Sequence, residues 1–202
     1  NLLLTQDLEK GNNEISSAIW SALKGKDYVE EIIVPTEQKS WQQALGDNPL
    51  VNLDNRLTLN KQQALAFSQL LFQEGFNVWL LEGVTGSGKT EIYLQYIEEV
   101  LKKGKQVLVL VPEIGLTPQT VRRFQARFNV EIDVLHSNLN DTQRLNVWER
   151  ARTGQSAIVI GTRSALFTQF SDLGLIILDE EHDGSFKQQD GWRYHARDLG
   201  IV

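Results

Sequence analysis

From Glu91 onward the chain alternates between two rhythms. Short apolar runs, Gln106 to Val111, Ile132 to Leu135, Ala157 to Ile160 and Leu175 to Leu178, are separated by longer stretches with apolar residues at helical spacing. The continuous run Gln106 to Val111 predicts a strand buried on both faces of a parallel sheet, and the other three runs predict further strands. The intervening stretches predict helices from Glu91 to Lys103, from Pro118 to Phe128, and from Asn140 to about Arg152. Tyr93, Tyr96, Ile97, Val100 and Leu101 share one side of the first, and Gly104 stops it. Pro118 suits a first helical turn; Val121, Phe124 and Phe128 then point inward, and Arg122, Arg123 and Arg127 are expected to point outward. Asn140 is the expected cap of the third helix.

Upstream, Leu59 to Phe72 predicts an amphipathic helix with Ala64, Phe67, Leu70 and Leu71 on one face, Asn60 as N-cap and Gly75 as stop. Val78 to Leu81 predicts a strand. Strands alternating with helices imply right-handed crossovers, so the expected class is α/β: a parallel sheet with helices on both faces. Ligands in such sheets sit at the carboxyl ends of the strands.

Residues 1–56 follow a different pattern and are expected to form a small partial accessory segment with a linker, ahead of a lobe over 57–202. Leu2 to Thr5 is apolar; Ile15, Ala18, Ile19, Ala22 and Leu23 recur at helical spacing before Gly25. Val29 to Val34 predicts a strand ended by Pro35, and Ser40 to Leu45 a short helix. Asp47 to Pro49 and Asn52 to Asn55 are rich in turn formers.

Chemistry enters with Gly83-Val-Thr85-Gly86-Ser87-Gly88-Lys89-Thr90, which fits G-x-x-x-x-G-K-[ST] between a predicted strand and a predicted helix. Glycines let the backbone turn N–H groups inward around a phosphate, and the helix adds its positive end. Lys89 is expected to reach the β- and γ-phosphates and Thr90 to hold Mg²⁺. Downstream, Asp179-Glu180-Glu181-His182 follows an apolar strand. There Asp179 can hold the same Mg²⁺ and Glu180 can orient or deprotonate the attacking water. Lys89, Asp179 and Glu180 are therefore the expected catalytic groups. A lone His182, with no second ligand near it in sequence, does not argue for zinc.

Composition narrows the picture without changing it. The 202 residues carry a net charge of −6, which argues against a broad basic coat for nucleic acid but leaves room for a local basic groove. There is no cysteine, so no disulfide framework or cysteine-based zinc site. No apolar run is long enough to span a membrane and no export signal is seen, so a cytoplasmic location is expected. The chain begins with Asn1 and contains no methionine, and its last residues stop within an apolar pattern. The expectation is a fragment of a longer protein.

The phosphate loop and Asp179-Glu-Glu-His182 together resemble the nucleotide site of DExH-type (DEAH box) helicases of the second superfamily, which implies that the α/β sheet is a P-loop NTPase (RecA-like) parallel sheet with helices on both faces. Longer strings, Val111-Pro-Glu-Ile-Gly-Leu-Thr-Pro-Gln119, Leu135-His-Ser137, Ile160-Gly-Thr-Arg-Ser-Ala-Leu-Phe167, Asp179 to Asp183 and Lys187 to Asp198, resemble the bacterial primosomal helicases (the primosomal protein N′ family) that restart stalled replication forks. The resemblance covers about Leu57 to Val202. It implies an ATP-dependent 3′–5′ DNA helicase acting with Mg²⁺ in the bacterial cytoplasm, on single-stranded and forked DNA, alongside other primosome and single-strand-binding proteins.

The resemblance also implies that Leu59 to Gln63 recognises adenine, chiefly through Gln63, whose amide can pair both a donor and an acceptor. It implies that Pro112 to Gln119 and Gly161 to Phe167 hold the DNA backbone, with Thr117, Thr162, Arg163 and Ser164 as phosphate ligands. Capping of the following helices is the competing role for these groups. Asp183 to Arg197 resembles an aromatic-rich loop that couples DNA to hydrolysis. Phe186, Trp192 and Tyr194 would stack bases there, and Lys187, Arg193 and Arg197 would meet phosphates; aromatic core packing is the alternative. The family's fork-binding domain, second lobe with its arginine finger, and cysteine zinc-binding segment would lie outside this sequence, and 1–56 would correspond to the end of a winged-helix region. Without a second lobe the fragment is expected to be nearly inactive. Two other classes stay open: a nucleotide-gated DNA-binding module without turnover, and the motor lobe of another P-loop DNA translocase.

Overall fold

Strand β1 (Gln106–Leu110) is buried along its whole length because it is paired on both edges. It runs parallel to β3 (Ile158–Gly161) on one side and to β4 (Leu173–Leu178) on the other. β2 (Ile132–Leu135) pairs in parallel with β3, giving the order β2-β3-β1-β4. The computed structural model describes residues 22–23, 25–26, 39–71 and 75–202.

Alternation along the strands builds two cores. Val107, Val109, Ile158 and Ile160 face helices α3 (Lys89–Lys102) and α4 (Pro118–Arg127), and meet Leu94, Ile97, Leu101, Phe124 and Phe128. Leu108, Leu110 and Val159 face the other way, toward Ala151 of helix α5 (Asp141–Arg152), Ala165, Phe186 and Ala196. The sheet therefore carries helices on both faces, as the apolar rhythm predicted. α5 starts at Asn140 through a capping box with Gln143, and α3 is followed by Gly104 at φ +78°. Gln106 crosses between layers with every amide bond satisfied: it donates to the Ala151 and Ser156 carbonyls and accepts from the Ser171 and Asp172 N–H groups.

The chain divides into two compact units, Asn1–Glu37 and Gln38–Val202. In the first, residues 22–23 are helical and 25–26 form a turn; the apolar run at Leu2 to Thr5 and the strand expected at Val29 to Val34 lie outside the described residues. The second unit starts well before the boundary expected at 56. Helix α1 (Trp41–Leu45), capped by Ser40, buries Trp41 in the core, and Val51 bridges to Phe128. Turn formers in 47–55 thus shape a strap that packs on the lobe rather than a free linker.

Three expectations change. Arg127 is 1% exposed, not outward, because Glu91 and Glu98 of α3 and the Asn55 carbonyl meet its guanidinium. Helix α2 (Lys61–Leu71) buries no residue: Phe67 and Leu70 are half-buried, while Ala64 and Leu71 are exposed. Val78 to Leu81 forms no strand, and Val78, Trp79 and Leu80 are exposed. An apolar run becomes a strand only where a neighbour offers a backbone edge, and no strand pairs with residues 76–81.

Candidate nucleotide and nucleic-acid site

The phosphate-binding pattern folds as a tight loop running directly into α3. Gly86 and Gly88 take φ of +80° and +83°, a left-handed conformation that glycine adopts freely and other residues resist. Ser87 N–H donates to the Val84 carbonyl at 3.0 Å, closing the turn. The Lys89 ammonium lies over the loop and donates to the Gly83 and Val84 carbonyls. Gly88 is the N-cap of the 14-residue α3, so Lys89 and Thr90 occupy its first turn, where the helix is electropositive.

Gln63 touches this loop directly. Its Nε2 donates to the Ser87 carbonyl at 2.8 Å, and a methyl at Gly88 would overlap it. Its Oε1 accepts from Asn60 N–H at 2.9 Å while Asn60 Oδ1 accepts from Gln63 N–H, the reciprocal pattern of a capping box. The side chain expected to read adenine is thus also the tie between α2 and the loop.

Asp179 follows β4 and meets the same helix. Tyr93 Oη, one turn beyond Thr90, donates to Asp179 Oδ2 at 3.1 Å, and Glu180 N–H donates to Oδ1 at 3.1 Å. Burial first, and then the neighbouring Asp179 charge, push the Tyr93 hydroxyl well above its usual range. Glu180 has φ +51° in a turn closed by Asp183 N–H on its carbonyl at 2.8 Å. Left-handed backbone costs a non-glycine residue roughly 1–2 kcal/mol. Such strain concentrates where a side chain must be aimed. A cleft of about 390 Å³ opens beside these carboxylates, lined among others by Tyr93, Pro112, Arg123, Asp179, Glu180 and His182. His182 Nε2 stands 3.6 Å from Glu180 Oε2. Among the described residues, no group of three or more His, Cys, Asp or Glu could hold a metal ion.

Residues 60–201 match the family model described as DEAD/DEAH box helicase. The chain belongs to the DEAD/DEAH box helicase family. Membership brings with it the use of a nucleotide. Two curated relatives carry the name "Replication restart protein PriA". The chain is 82% identical to that of Haemophilus influenzae over 196 residues, covering 97% of this chain and 27% of the relative. It is 49% identical to that of Bacillus subtilis over 148 residues, 72% of this chain and 18% of the relative. The chain thus spans about a quarter or less of the length of these relatives. Among solved structures it is similar to RecG bound to a three-way DNA junction, with TM-score 0.55 and 29% identity over 62% of this chain and 18% of that one.

The expected DNA-facing residues divide into two groups in this helicase lobe. Trp192 is 67% exposed and clusters with Phe167 and Tyr194, ring centroids 5.2–5.8 Å apart. Lys187, Arg193 and Ser164 are exposed. Thr162 lines a second cleft of about 260 Å³, with Glu113, His136 and Asn138, at the carboxyl ends of β1, β2 and β3. By contrast, Phe186 is fully buried in the second core and presents no face to a base. Core packing takes it because Asp183 caps the 3₁₀ turn Gly184–Phe186 and turns the ring inward. Arg163 donates to the Ser185 carbonyl at 2.7 Å and the Lys187 carbonyl at 3.0 Å, so it ties two loops together rather than projecting outward. Thr117 Oγ1 accepts from Thr120 N–H at 3.1 Å and so serves as the N-cap of α4. Arg197 pairs with Asp198 at 3.1 Å and with Glu181 at 3.3 Å, and these pairings raise its pKa.

Sequence reasoning missed the site role of Tyr93 and the aromatic contacts of Phe167. Tyr93 carries a legible signal, since Thr90 and Tyr93 are three apart and share a helix face. Phe167 lies in the stretch Gly161 to Phe167 already expected to hold the DNA backbone, but nothing signals its ring contacts, because its partners are 25 and 27 positions away.

Proposed function

We propose that the chain is the first motor lobe of an ATP-driven 3′–5′ DNA helicase that acts in primosome assembly at stalled replication forks in the bacterial cytoplasm. The observation that carries the reading is the Tyr93–Asp179 hydrogen bond, which sets the acidic motif beside the helix of the phosphate loop. Among the described residues no helix is long and apolar enough to cross a membrane.

The residues present suit Mg-ATP. Gly83, Thr85, Gly86, Ser87 and Gly88 form the phosphate cradle, and a side chain at Gly88 would collide with the Gln63 amide that ties α2 to it. Lys89 swings from the loop carbonyls to the β- and γ-phosphates, and Thr90 and Asp179 hold the ion. Bound Mg²⁺ supplies charge neutralisation on the phosphates. Glu180 orients the attacking water, held by its strained turn. Gln63 reads adenine by exchanging its bond to Asn60 and keeps its tie to Ser87. No zinc site is assigned to this lobe.

Single-stranded DNA follows the loops at the carboxyl ends of the strands. Thr162 and Ser164 meet the backbone, Trp192 and Tyr194 stack bases, and Lys187 and Arg193 add charge. Arg197 joins this loop to the acidic motif through Glu181, which gives DNA a physical route to the hydrolytic side. Forked DNA, primosome proteins and single-strand-binding proteins belong to the longer protein.

A nucleotide titration of the 202-residue chain, with and without a single-stranded oligonucleotide, tests this. Weak Mg-ATP binding that Lys89→Ala abolishes, with little turnover, is expected. Robust DNA-stimulated ATP hydrolysis by the monomeric chain would show that one lobe suffices, against this reading.

A further inference from the structure

The Tyr93 ring stacks on Phe124 at 6.4 Å and 20°, and Phe124 is fully buried. The ring is therefore fixed by the core, and its hydroxyl reaches the edge of the site. There it donates to Asp179 Oδ2. A phenol carries its proton at neutral pH, so the hydroxyl is a donor there. Thr90 precedes Tyr93 by three residues and so lies on the same face of α3.

Proton inventory fixes the polarity of this bond. An ionised carboxylate only accepts, so Tyr93 gives its one proton to Asp179. That holds Asp179 toward α3, the helix whose first turn carries Thr90. We infer that Tyr93 is a positioning residue that fixes Asp179 opposite the first turn of α3 and pre-arranges it for a divalent cation. The inference rests on the assignment of Thr90 and Asp179 to Mg²⁺ made above.

Tyr93→Phe keeps the ring against Phe124 and removes the hydroxyl alone. ADP affinity of the 202-residue chain is measured in EDTA and across a Mg²⁺ titration, with Mn²⁺ binding followed by electron paramagnetic resonance. Affinity in EDTA should stay within about twofold, while the Mg²⁺ midpoint should rise roughly tenfold to a hundredfold, as for a lost hydrogen bond to a charged group. In an Asp179→Asn background the same change should add little, because the two residues act through one bond. An unchanged Mg²⁺ midpoint, full additivity with Asp179→Asn, or loss of the folded circular dichroism signal overturns the inference; the last assigns the hydroxyl to structure alone. If wild-type ADP binding ignores Mg²⁺ altogether, the metal assignment itself fails, and that outcome is separate from a wild-type response that Tyr93→Phe leaves untouched.

Discussion

Replacing Arg127 with methionine keeps most of the side-chain length and removes a charge that is 1% exposed. Its guanidinium stands 3.1 Å from Glu91 and 3.8 Å from Glu98, and it donates to the Asn55 carbonyl at 2.7 Å. Breaking a buried pair by removing one partner costs about 3–5 kcal/mol, because a buried charge is left behind. Here the loss is shared. Glu91 keeps Gln95 at 2.8 Å, and Glu98 keeps Lys102 at 2.8 Å and Arg56 at 3.5 Å. These remaining donors put the expected cost at the lower end, about 3 kcal/mol. In a domain of this size that lowers Tm by roughly 6–12 °C.

Thermal unfolding followed by circular dichroism reads the magnitude, and limited proteolysis reads the location. Arg127 also holds the strap, so cleavage should appear first within 50–57. Adding Glu91→Gln should recover part of the loss, since a neutral amide no longer leaves an unpaired charge. A loss below about 1 kcal/mol, the range of exposed pairs, would refute the reasoning and return Arg127 to the surface.

Three shorter predictions follow from local geometry. Asn140→Ala removes the capping box of α5 and should cost about 1 kcal/mol by urea titration; no change would mean water serves those N–H groups as well. Gly88→Ala meets both a φ of +83° and the Gln63 amide, and should reduce nucleotide affinity at least about tenfold, a loss the left-handed strain alone can supply. Gly184→Ala, where a methyl meets nothing within 4 Å, should leave that affinity unchanged, and equal effects would refute the cradle argument. Because burial raises the Tyr93 pKa, its folded value lies above the unfolded one. The phenol's contribution is then complete below about pH 10 and is lost as pH rises beyond it. Stability curves of wild type and Tyr93→Phe should converge there, and parallel curves would count against it.

The sheet was legible because its strands are specified by short, mainly apolar runs, of which β1 and β3 are fully buried. The phosphate loop was legible because its glycines are required by backbone geometry, as Gly86 and Gly88 demonstrate. What escaped depends on partners distant in sequence. Arg127 looked like one of three outward arginines until Glu91 and Glu98, 36 and 29 positions earlier, supplied carboxylates. Phe186 and Trp192 look alike as aromatics in one polar loop, yet the cap at Asp183 buries the first and leaves the second exposed. Val78 to Leu81 has a strand's composition, but pairing is not a property of one segment.

These long-range contacts converge on α3. Tyr93 reaches from it to Asp179 and stacks on Phe124; Glu91 and Glu98 reach to Arg127. Phe124 and Arg127 lie one turn apart on α4, whose N-cap Thr117 closes the loop that begins at Pro112. That loop lines both clefts, through Pro112 in the first and Glu113 and Leu116 in the second. A helix of 10 residues is about 15 Å of stiff rod. On the function proposed above, a strand held at the second cleft bears on one end of α4, and the other end grips the helix that carries Lys89 and Thr90. The buried Arg127–Glu91 pair is weak evidence for stability as such. Its position gives it a different use, since Glu91 directly follows Thr90. Any shift of α4 must either break that bond or turn the first helical residues of the nucleotide site.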